Sequence, residues 1–253
     1  MAEKEGMPKS REIASELREK ILSGELGPGA ILPSEREFVE HYNISKTTVP
    51  KIIAILRSEG LVETTTGRGT FVRRRQSIVR HGHDRYARRH RNAGKPPFRQ
   101  EVEAQGRTPR VDVNIIRVAA TPDWVADRLQ ISPTALTLQR SNTYLVDNQP
   151  IQIVTTYIPE NIAAGTTLET DVPAPGGIYA ALDELGYTLT RMTEEIEARL
   201  ASPTEQNALD LDAGNPVLDV IHVSYDQNNT PIDVSRFILN GYRNRLTYEL
   251  PTS

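Results

Sequence analysis

Hydrophobic residues in the first part of the chain recur with the period of an α-helix. Every fourth residue from Ile13 to Ile21 is apolar and Gly24 follows, which predicts an amphipathic helix over residues 9–23. Ser34 is followed three residues later by a glutamate. This spacing is that of a capping box and predicts the start of a second, short helix.

A third amphipathic run begins after Ser45, which is predicted to cap the N terminus of a third helix. The run ends at Gly60, and its buried face would consist of Val49, Ile52, Ile53 and Leu56. Two short runs follow over residues 61–64 and 70–72, and the glycines between them predict a β-hairpin with Arg68 at its tip. The order of helix, helix, turn, helix and hairpin is that of a winged helix-turn-helix domain.

The rest of the chain has strand-like hydrophobic runs, over residues 111–118, 136–146, 151–157, 189–198, 217–225 and 232–239. Turn residues such as Asp147-Asn148 separate several of them, which predicts antiparallel hairpins. Three helices are predicted between the strands. One begins with Pro122 as its first residue, one begins at the capping box of Ser202, and one covers residues 178–185. The predicted fold class is therefore α+β: an N-terminal winged helix-turn-helix domain and a C-terminal antiparallel sheet with flanking helices.

Charge is distributed unevenly along the 253 residues, whose formal net charge is −3. Residues 73–110 contain 12 Lys and Arg against 3 Asp and Glu, whereas residues 111–253 contain 8 against 19. We therefore expect a first domain over 1–72, a basic linker over 73–97 with no more than a helical turn over 84–91, and an acidic domain over 98–253. The basic density favours contact with a polyanion, and a solvated linker is the alternative.

Composition excludes several kinds of chemistry. The chain has no cysteine, so disulfides, thiolate zinc sites and cysteine nucleophiles are absent. Neither a run of 18 apolar residues nor a secretory signal occurs, which predicts a cytoplasmic protein without a membrane partner. His81 and His83 lie beside arginines that would repel a cation, and no catalytic motif is recognisable, so we expect no metal, no cofactor and no enzymatic activity. His222 is predicted to be a core histidine. A solvated face at a strand edge is predicted for Glu194, Glu195 and Glu197, and the alternative is that one of them points into a pocket.

Polar residues of the first domain have the positions that DNA contact requires. The N terminus of the third helix would enter the major groove and present Ser45, Lys46, Thr47 and Thr48. Arg36, at the start of the second helix, and Arg68 would lie on either side, near phosphates. In the alternative interpretation Ser45 is only a helix cap and Arg36 belongs to a solvated face.

A spaced set of motifs covers residues 9–72: Gly24-Glu25-Leu26, Pro28-Gly29, Leu32-Pro33-Ser34-Glu35-Arg36, Ser45-Lys46, Thr48-Val49, Glu59-Gly60-Leu61-Val62 and Gly67-Arg68-Gly69-Thr70-Phe71-Val72. This set resembles the N-terminal domain of the GntR family of bacterial transcription regulators. The resemblance implies double-stranded operator DNA as the partner, contacted by Arg36, Ser45, Lys46, Thr47, Thr48, Gly67 and Arg68. Pro50 departs from the family, many of whose members have here an arginine that reads a guanine. We therefore expect base recognition to shift to Lys46 or Lys51.

A looser set covers residues 97–250: Phe98, Gln105-Gly106, Arg140, Asp147-Asn148-Gln149-Pro150-Ile151, Tyr157-Ile158-Pro159, Tyr225-Asp226 and Pro231-Ile232-Asp233. This set resembles the UTRA effector-binding domain of the HutC subfamily, whose fold is shared with chorismate lyase. The resemblance implies a small-molecule effector held by Arg140, Thr156 and Asp233. Asn142 and Leu239 stand where members that bind sugar phosphates have an arginine and a tyrosine, which favours an effector with at most one anionic group and a less polar body. For Arg140 the alternative is a structural salt bridge.

Both resemblances together imply a sequence-specific transcriptional regulator that acts as a homodimer. It would be a repressor, released from an inverted-repeat operator by its effector. Two alternatives stay open: a C-terminal domain with lyase or other activity, and a plasmid-transfer or maintenance repressor with no small-molecule effector.

Overall fold

The structure is a computed structural model and describes residues 7–65, 67–73, 77–82, 85–86, 94–171 and 176–250. The chain divides into two compact units, the first comprising Met1–Gln76 together with Asp212–Asn215 and the second Ser77–Leu211 together with Pro216–Ser253. Each unit has hydrophobic clusters of its own.

Three helices and a hairpin form the first unit. In chain order these are α1 (Lys9–Ser23), α2 (Glu35–Tyr42), a 3-10 turn (Lys46–Thr48), α3 (Val49–Ser58), β1 (Val62–Thr65) and β2 (Gly69–Val72). The capping box of Ser34 and Glu37 is present at the start of α2. Phe38, Ile52 and Leu56 are fully buried between the helices. The predicted sequence of elements is therefore confirmed.

The third helix begins differently from the prediction. Ser45 precedes the 3-10 turn and makes no capping bond to a backbone N–H, so the prediction that it caps an α-helix is wrong. Helix α3 starts at Val49, which places Pro50 in its first turn. The first N–H groups of a helix have no intrahelical acceptor, so the missing N–H of Pro50 costs no helix hydrogen bond.

The elements of the second unit in chain order are β3 (Ile78–His81), α4 (Pro97–Ala104), β4 (Pro109–Ala120), α5 (Asp123–Leu129), β5 (Leu136–Val146), β6 (Gln149–Pro159), α6 (Glu160–Ala163), a 3-10 turn (Thr167–Glu169), α7 (Ile178–Glu184), β7 (Arg191–Leu200), α8 (Pro203–Leu209), β8 (Pro216–Tyr225), β9 (Pro231–Asn240) and β10 (Asn244–Thr247). Six of the strands form one sheet with the order β4-β5-β6-β9-β8-β7, in which every neighbouring pair is antiparallel. The α+β class is confirmed.

The predicted linker over 73–97 contains a strand. Strand β3 pairs in parallel with β10, and its Ile78 and Arg80 are buried, so the prediction of a segment without secondary structure is wrong there. Each of these two strands has four residues, which is too few to show a hydrophobic period in the sequence. Residue 84 and residues 87–91 of the predicted helical turn lie outside the described residues.

Two helix starts also differ from the prediction. Helix α4 was not predicted. It begins at Pro97 and follows Pro96, and two consecutive prolines are unfavourable inside a helix, so the sequence suggested a linker here. Helix α5 begins at Asp123, so Pro122 precedes the helix instead of being its first residue.

One face of the large sheet carries a row of polar side chains. Residues that lie directly opposite each other on neighbouring strands point to the same face, and the row consists of Arg140, Thr156, Ser235, His222 and Glu194. Helix α7 packs against this face, where its Leu182 belongs to the same cluster as Leu138 and Ile158. The polar side chains of the row therefore lie between the sheet and α7.

Candidate functional site

The residues predicted to contact DNA lie at the surface of the first unit. Thr48 is half-buried, and the exposed ones are Arg36, Ser45, Lys46, Thr47, Lys51, Gly67 and Arg68. The hydroxyl of Ser45 bonds with those of Thr47 and Thr48, each at 2.9 Å. Three hydroxyl groups therefore form one cluster at the start of the third helix.

The cations beside this cluster have weak partners. Arg36 Nε lies 2.8 Å from Glu40 Oε1, and Lys46 Nζ lies 3.8 Å from Glu35 Oε1, with both cationic side chains more than three-quarters exposed. The contact between Lys46 and Glu35 shows that the start of α2 lies next to the start of the third helix. Exposed ion pairs contribute little free energy, so a phosphate can replace either carboxylate at small cost.

The hairpin tip presents a third cation. Gly67 has a φ of 75°, a left-handed conformation that glycine adopts without strain, and the backbone N–H of Arg68 donates to the Thr65 carbonyl at 3.0 Å. The side chain of Arg68 is exposed beyond this turn. The first unit thus has cations at α2, at the third helix and at the hairpin tip.

A cavity of about 410 Å³ lies in the second unit, over the polar face of the sheet. The three residues predicted to hold an effector, Arg140 on β5, Thr156 on β6 and Asp233 on β9, all line it. Its aromatic walls are formed by Tyr86, Phe98, Tyr144, Tyr179 and Phe237. Three neighbouring strands therefore bring the predicted residues to one cavity.

Arg140 is buried and has no carboxylate partner among the described residues. One terminal nitrogen of its guanidinium donates to the carbonyl oxygens of Leu168 and Thr170, the latter at 2.7 Å, and its Nε has no hydrogen-bond partner. Burial lowers the pKa of Arg140, and the nearby Tyr144 and Asp171 oppose that effect. Within the described residues, Arg140 is in no salt bridge.

Asp233 and Thr156 are joined by a chain of hydroxyl groups. Thr156 Oγ1 lies 2.8 Å from Ser235 Oγ, which in turn donates to Asp233 Oδ2 at 3.1 Å. The other carboxylate oxygen, Oδ1, is buried without a partner. Burial raises the pKa of Asp233 and outweighs the effects of nearby His222 and the surrounding hydroxyls, which lower it.

The other arginines that line the cavity are paired. Arg99 lies 3.2 Å from Glu103, Arg110 lies 2.9 Å from Asp112, and Arg85 forms an ion pair with Glu101. Arg140 is therefore the lining arginine that has no carboxylate partner in the described part of the chain.

A buried network lies beside the cavity. His222 is fully buried; its Nδ1 lies 3.1 Å from Glu194 Oε1 and its Nε2 lies 3.0 Å from Ser224 Oγ, which donates to the Tyr179 hydroxyl at 3.0 Å. Arg80 from β3 lies 3.6 Å from Glu194 Oε1. Ser224 has no exposed surface and does not line the cavity. The hydrogen-bonded glutamate, histidine and serine therefore do not present an accessible nucleophile.

The network corrects one prediction. His222 is a core residue, as predicted, whereas the solvated position expected for Glu194 is wrong, because its side chain is only 9% exposed. Glu195 and Glu197 are exposed, as expected. Successive strand residues point to opposite faces, so the two-residue period alone separates Glu194 from the other two. No signal in the sequence identified Arg80 or Tyr179 as part of this site.

Comparison with known proteins gives two family matches. Residues 9–72 match the model of bacterial regulatory proteins of the gntR family, and residues 104–245, more than half of the chain, match the UTRA domain. The chain belongs to the GntR family. This GntR-family protein is 32% identical to an uncharacterised helix-turn-helix transcriptional regulator of Streptomyces coelicolor, over 96% of this chain and 92% of the relative.

Further relatives of the GntR-family protein agree with that assignment. The transcriptional repressor NagR of Bacillus subtilis is 27% identical, over 92% of this chain and 90% of its own. The crystal structure of PhnF from Mycobacterium smegmatis is 24% identical and covers 95% of this chain and 100% of its own, with a TM-score of 0.61. The latter similarity shows the shared fold.

The GntR-family protein is therefore a DNA-binding transcription regulator whose UTRA domain is of the type that binds small molecules. Within the described residues, no helix has the length and apolar character needed to cross a bilayer.

Proposed function

We propose that this protein is a repressor that binds an inverted-repeat operator as a homodimer and leaves it when a small-molecule effector enters the cavity of the second unit. The observation that carries the proposal is the position of Arg140, Thr156 and Asp233 around one cavity of about 410 Å³. A cavity of this size, mostly apolar with a few convergent polar groups, is typical of small-molecule sites.

DNA contact is assigned to the first unit. The hydroxyl cluster at Ser45 and the side chains of Lys46 and Lys51 would face base edges and nearby phosphates, while Arg36 and Arg68 bind phosphates on either side. One short recognition helix reads few base pairs, so a two-fold dimer on paired half-sites supplies the remaining specificity.

Release requires a difference in affinity between two states. The effector must bind the DNA-free arrangement more tightly, by about 1–3 kcal/mol in typical cases, and operator DNA then weakens effector binding by the same factor. The unpartnered atoms of Arg140 and Asp233 in the cavity favour this function over that of a plasmid-transfer or maintenance repressor without an effector, because buried polar groups are normally hydrogen-bonded.

The test compares Arg140→Ala with Arg117→Ala, an exposed arginine of β4 that does not line the cavity. Operator duplexes are selected from random DNA by the purified protein, and a metabolite library is screened for compounds that raise its melting temperature. We expect such a compound to release the operator from the parent and from Arg117→Ala, measured by fluorescence anisotropy.

Arg140→Ala should bind the operator as the parent does and no longer respond to the compound. If Arg140→Ala instead loses operator binding and melts earlier, Arg140 has a structural role and the proposed effector site is wrong.

A further inference from the structure

Two buried ionisable side chains in the cavity form no ion pair within the described part of the chain. Arg140 donates to the carbonyls of Leu168 and Thr170, its Nε is unpartnered there, and the nearby Asp171 is not in ion-pair contact with it. Asp233 is the only carboxylate among the described lining residues; Ser235 donates to one of its oxygens, and the other is unpartnered. Burial of a charge is costly unless that charge is paired, so a ligand that pairs with either group would be stabilised.

The two groups do not satisfy each other. Arg140 lies opposite Thr156, Thr156 lies opposite Ser235, and Asp233 is two residues from Ser235 on the same strand. Two strand spacings across the sheet and two residues along a strand separate the Cα atoms by roughly 12 Å. No ion pair joins them in the described structure, so a ligand would meet them at different ends of the cavity.

The side chains between them carry hydroxyl groups. The hydroxyls of Thr156 and Ser235 bond to each other at 2.8 Å, so neither needs a hydrogen bond from a ligand. Val154 and Phe237 also line the cavity, on the side of this pair that faces away from Asp233. The middle of the ligand therefore lies over two paired hydroxyls, with an apolar wall to one side.

Three simpler kinds of ligand leave one of the two groups without a partner of opposite charge. A simple anion would neutralise Arg140 and leave the free oxygen of Asp233 without a donor, whereas a neutral polyol would leave the charge of Arg140 unbalanced. A ligand with two anionic ends would bring like charge to Asp233, which disfavours binding. The remaining lining arginines, Arg85, Arg99 and Arg110, already have carboxylate partners and add no further demand.

We infer that the effector is a small amphoteric molecule, with an anionic group that binds Arg140 and an ammonium group that binds Asp233. This inference rests on the proposed effector role of the cavity and names the chemical class of the effector. Because the two charges lie at opposite ends of the molecule, a chain or ring must separate them.

Calorimetric titration of the full-length protein tests the inference. The probes are the ω-amino acids from 4-aminobutanoate to 8-aminooctanoate, each compared with the carboxylic acid and the amine of the same chain length. We expect at least one amino acid to bind about tenfold or more tightly than both matched compounds, since each lacks one charge-assisted contact.

The opposite results are equally clear. A carboxylic acid that binds as tightly as its amino acid removes the role of Asp233, and an amine that does so removes that of Arg140. Absence of binding by every amino acid of the series at millimolar concentration overturns the inference altogether. None of these comparisons requires a variant to fold.

Two variants assign the ends of the ligand. Asp233→Asn should remove the preference for the amino acid and leave binding of the matched acid within about twofold, and Arg140→Gln should do the same for the amine. Asp127→Asn, an exposed carboxylate of α5, is the control and should bind like the parent. If the preference survives in Asp233→Asn, the ammonium group does not bind there.

Failure of the inference is separable from failure of the proposed function. The tightest amino acid is added to the protein on its operator, and release is followed by fluorescence anisotropy. Tight binding in the cavity without release would leave the ligand class standing and refute effector-controlled repression. Release by the matched carboxylic acid alone would support effector-controlled repression and refute the amphoteric ligand class.

Discussion

Replacement of Glu194 by glutamine should destabilise the second unit at neutral pH and do so much less in acid. Glu194 is buried on β7, where its carboxylate accepts from Tyr248 and lies 3.1 Å from Nδ1 of His222 and 3.6 Å from Arg80. The substitution keeps the shape of the side chain and removes its charge. It therefore leaves the cation of Arg80 buried beside a neutral group.

The magnitude follows from the pKa of Glu194. Burial by itself would raise this pKa, but the hydrogen bond with His222, the charge of Arg80 and the hydroxyl of Tyr248 together lower it from 4.5 to about 2. A difference of that size corresponds to about 3 kcal/mol of folding free energy. Because the pKa is lowered on folding, the full contribution is present above pH 4.5 and is lost as the pH falls towards 2. By pH 3 it is reduced to roughly half or less.

The single tryptophan, Trp124, lies in α5 and reports unfolding of the second unit by fluorescence. Urea unfolding at pH 7 should show Glu194→Gln to be less stable than the parent by about 3 kcal/mol, and the gap should narrow at pH 3. Glu197→Gln, on the same strand and exposed, is the control and should match the parent. Equal stability of parent and Glu194→Gln at pH 7, or a gap that does not depend on pH, would refute the reasoning.

Three further predictions concern DNA binding and assembly. Arg36→Ala and Arg68→Ala should each flatten the dependence of log affinity on log salt by about one unit in anisotropy titrations, since each removes a phosphate contact; unchanged slopes in both would exclude these arginines from the interface. Neutralisation of Arg88, Arg89 and Arg91, which lie outside the described residues, should weaken binding to operator and to random DNA alike in the same assay, and parental affinity for both would reduce this segment to a spacer. Light scattering at micromolar concentration should give the mass of a dimer; a monomer that binds its operator one protein per site contradicts the proposed assembly.

Elements whose signals are local could be predicted from the amino-acid sequence. Helix α1 and strand β5 have the predicted bounds, and α2 begins at the predicted capping box. Amphipathic periods and caps depend on residues within one or two turns, so they can be read before the fold is known. The cavity residues Arg140, Thr156 and Asp233 were predictable only through the family resemblance, because no periodicity or cap identifies them.

The burial of particular charges and the identity of their partners depend on how distant segments of the chain pack together. Strands β3 and β10 come from opposite ends of the second unit, and their pairing leaves Arg80 buried beside Glu194, a contact that no local pattern encodes. In the same way Arg140 meets carbonyl oxygens instead of a carboxylate, and Asp233 keeps one oxygen free. Partners of this kind are set by the packing of segments distant in the chain, and burial then determines whether a charge is neutralised within the protein or left for a ligand.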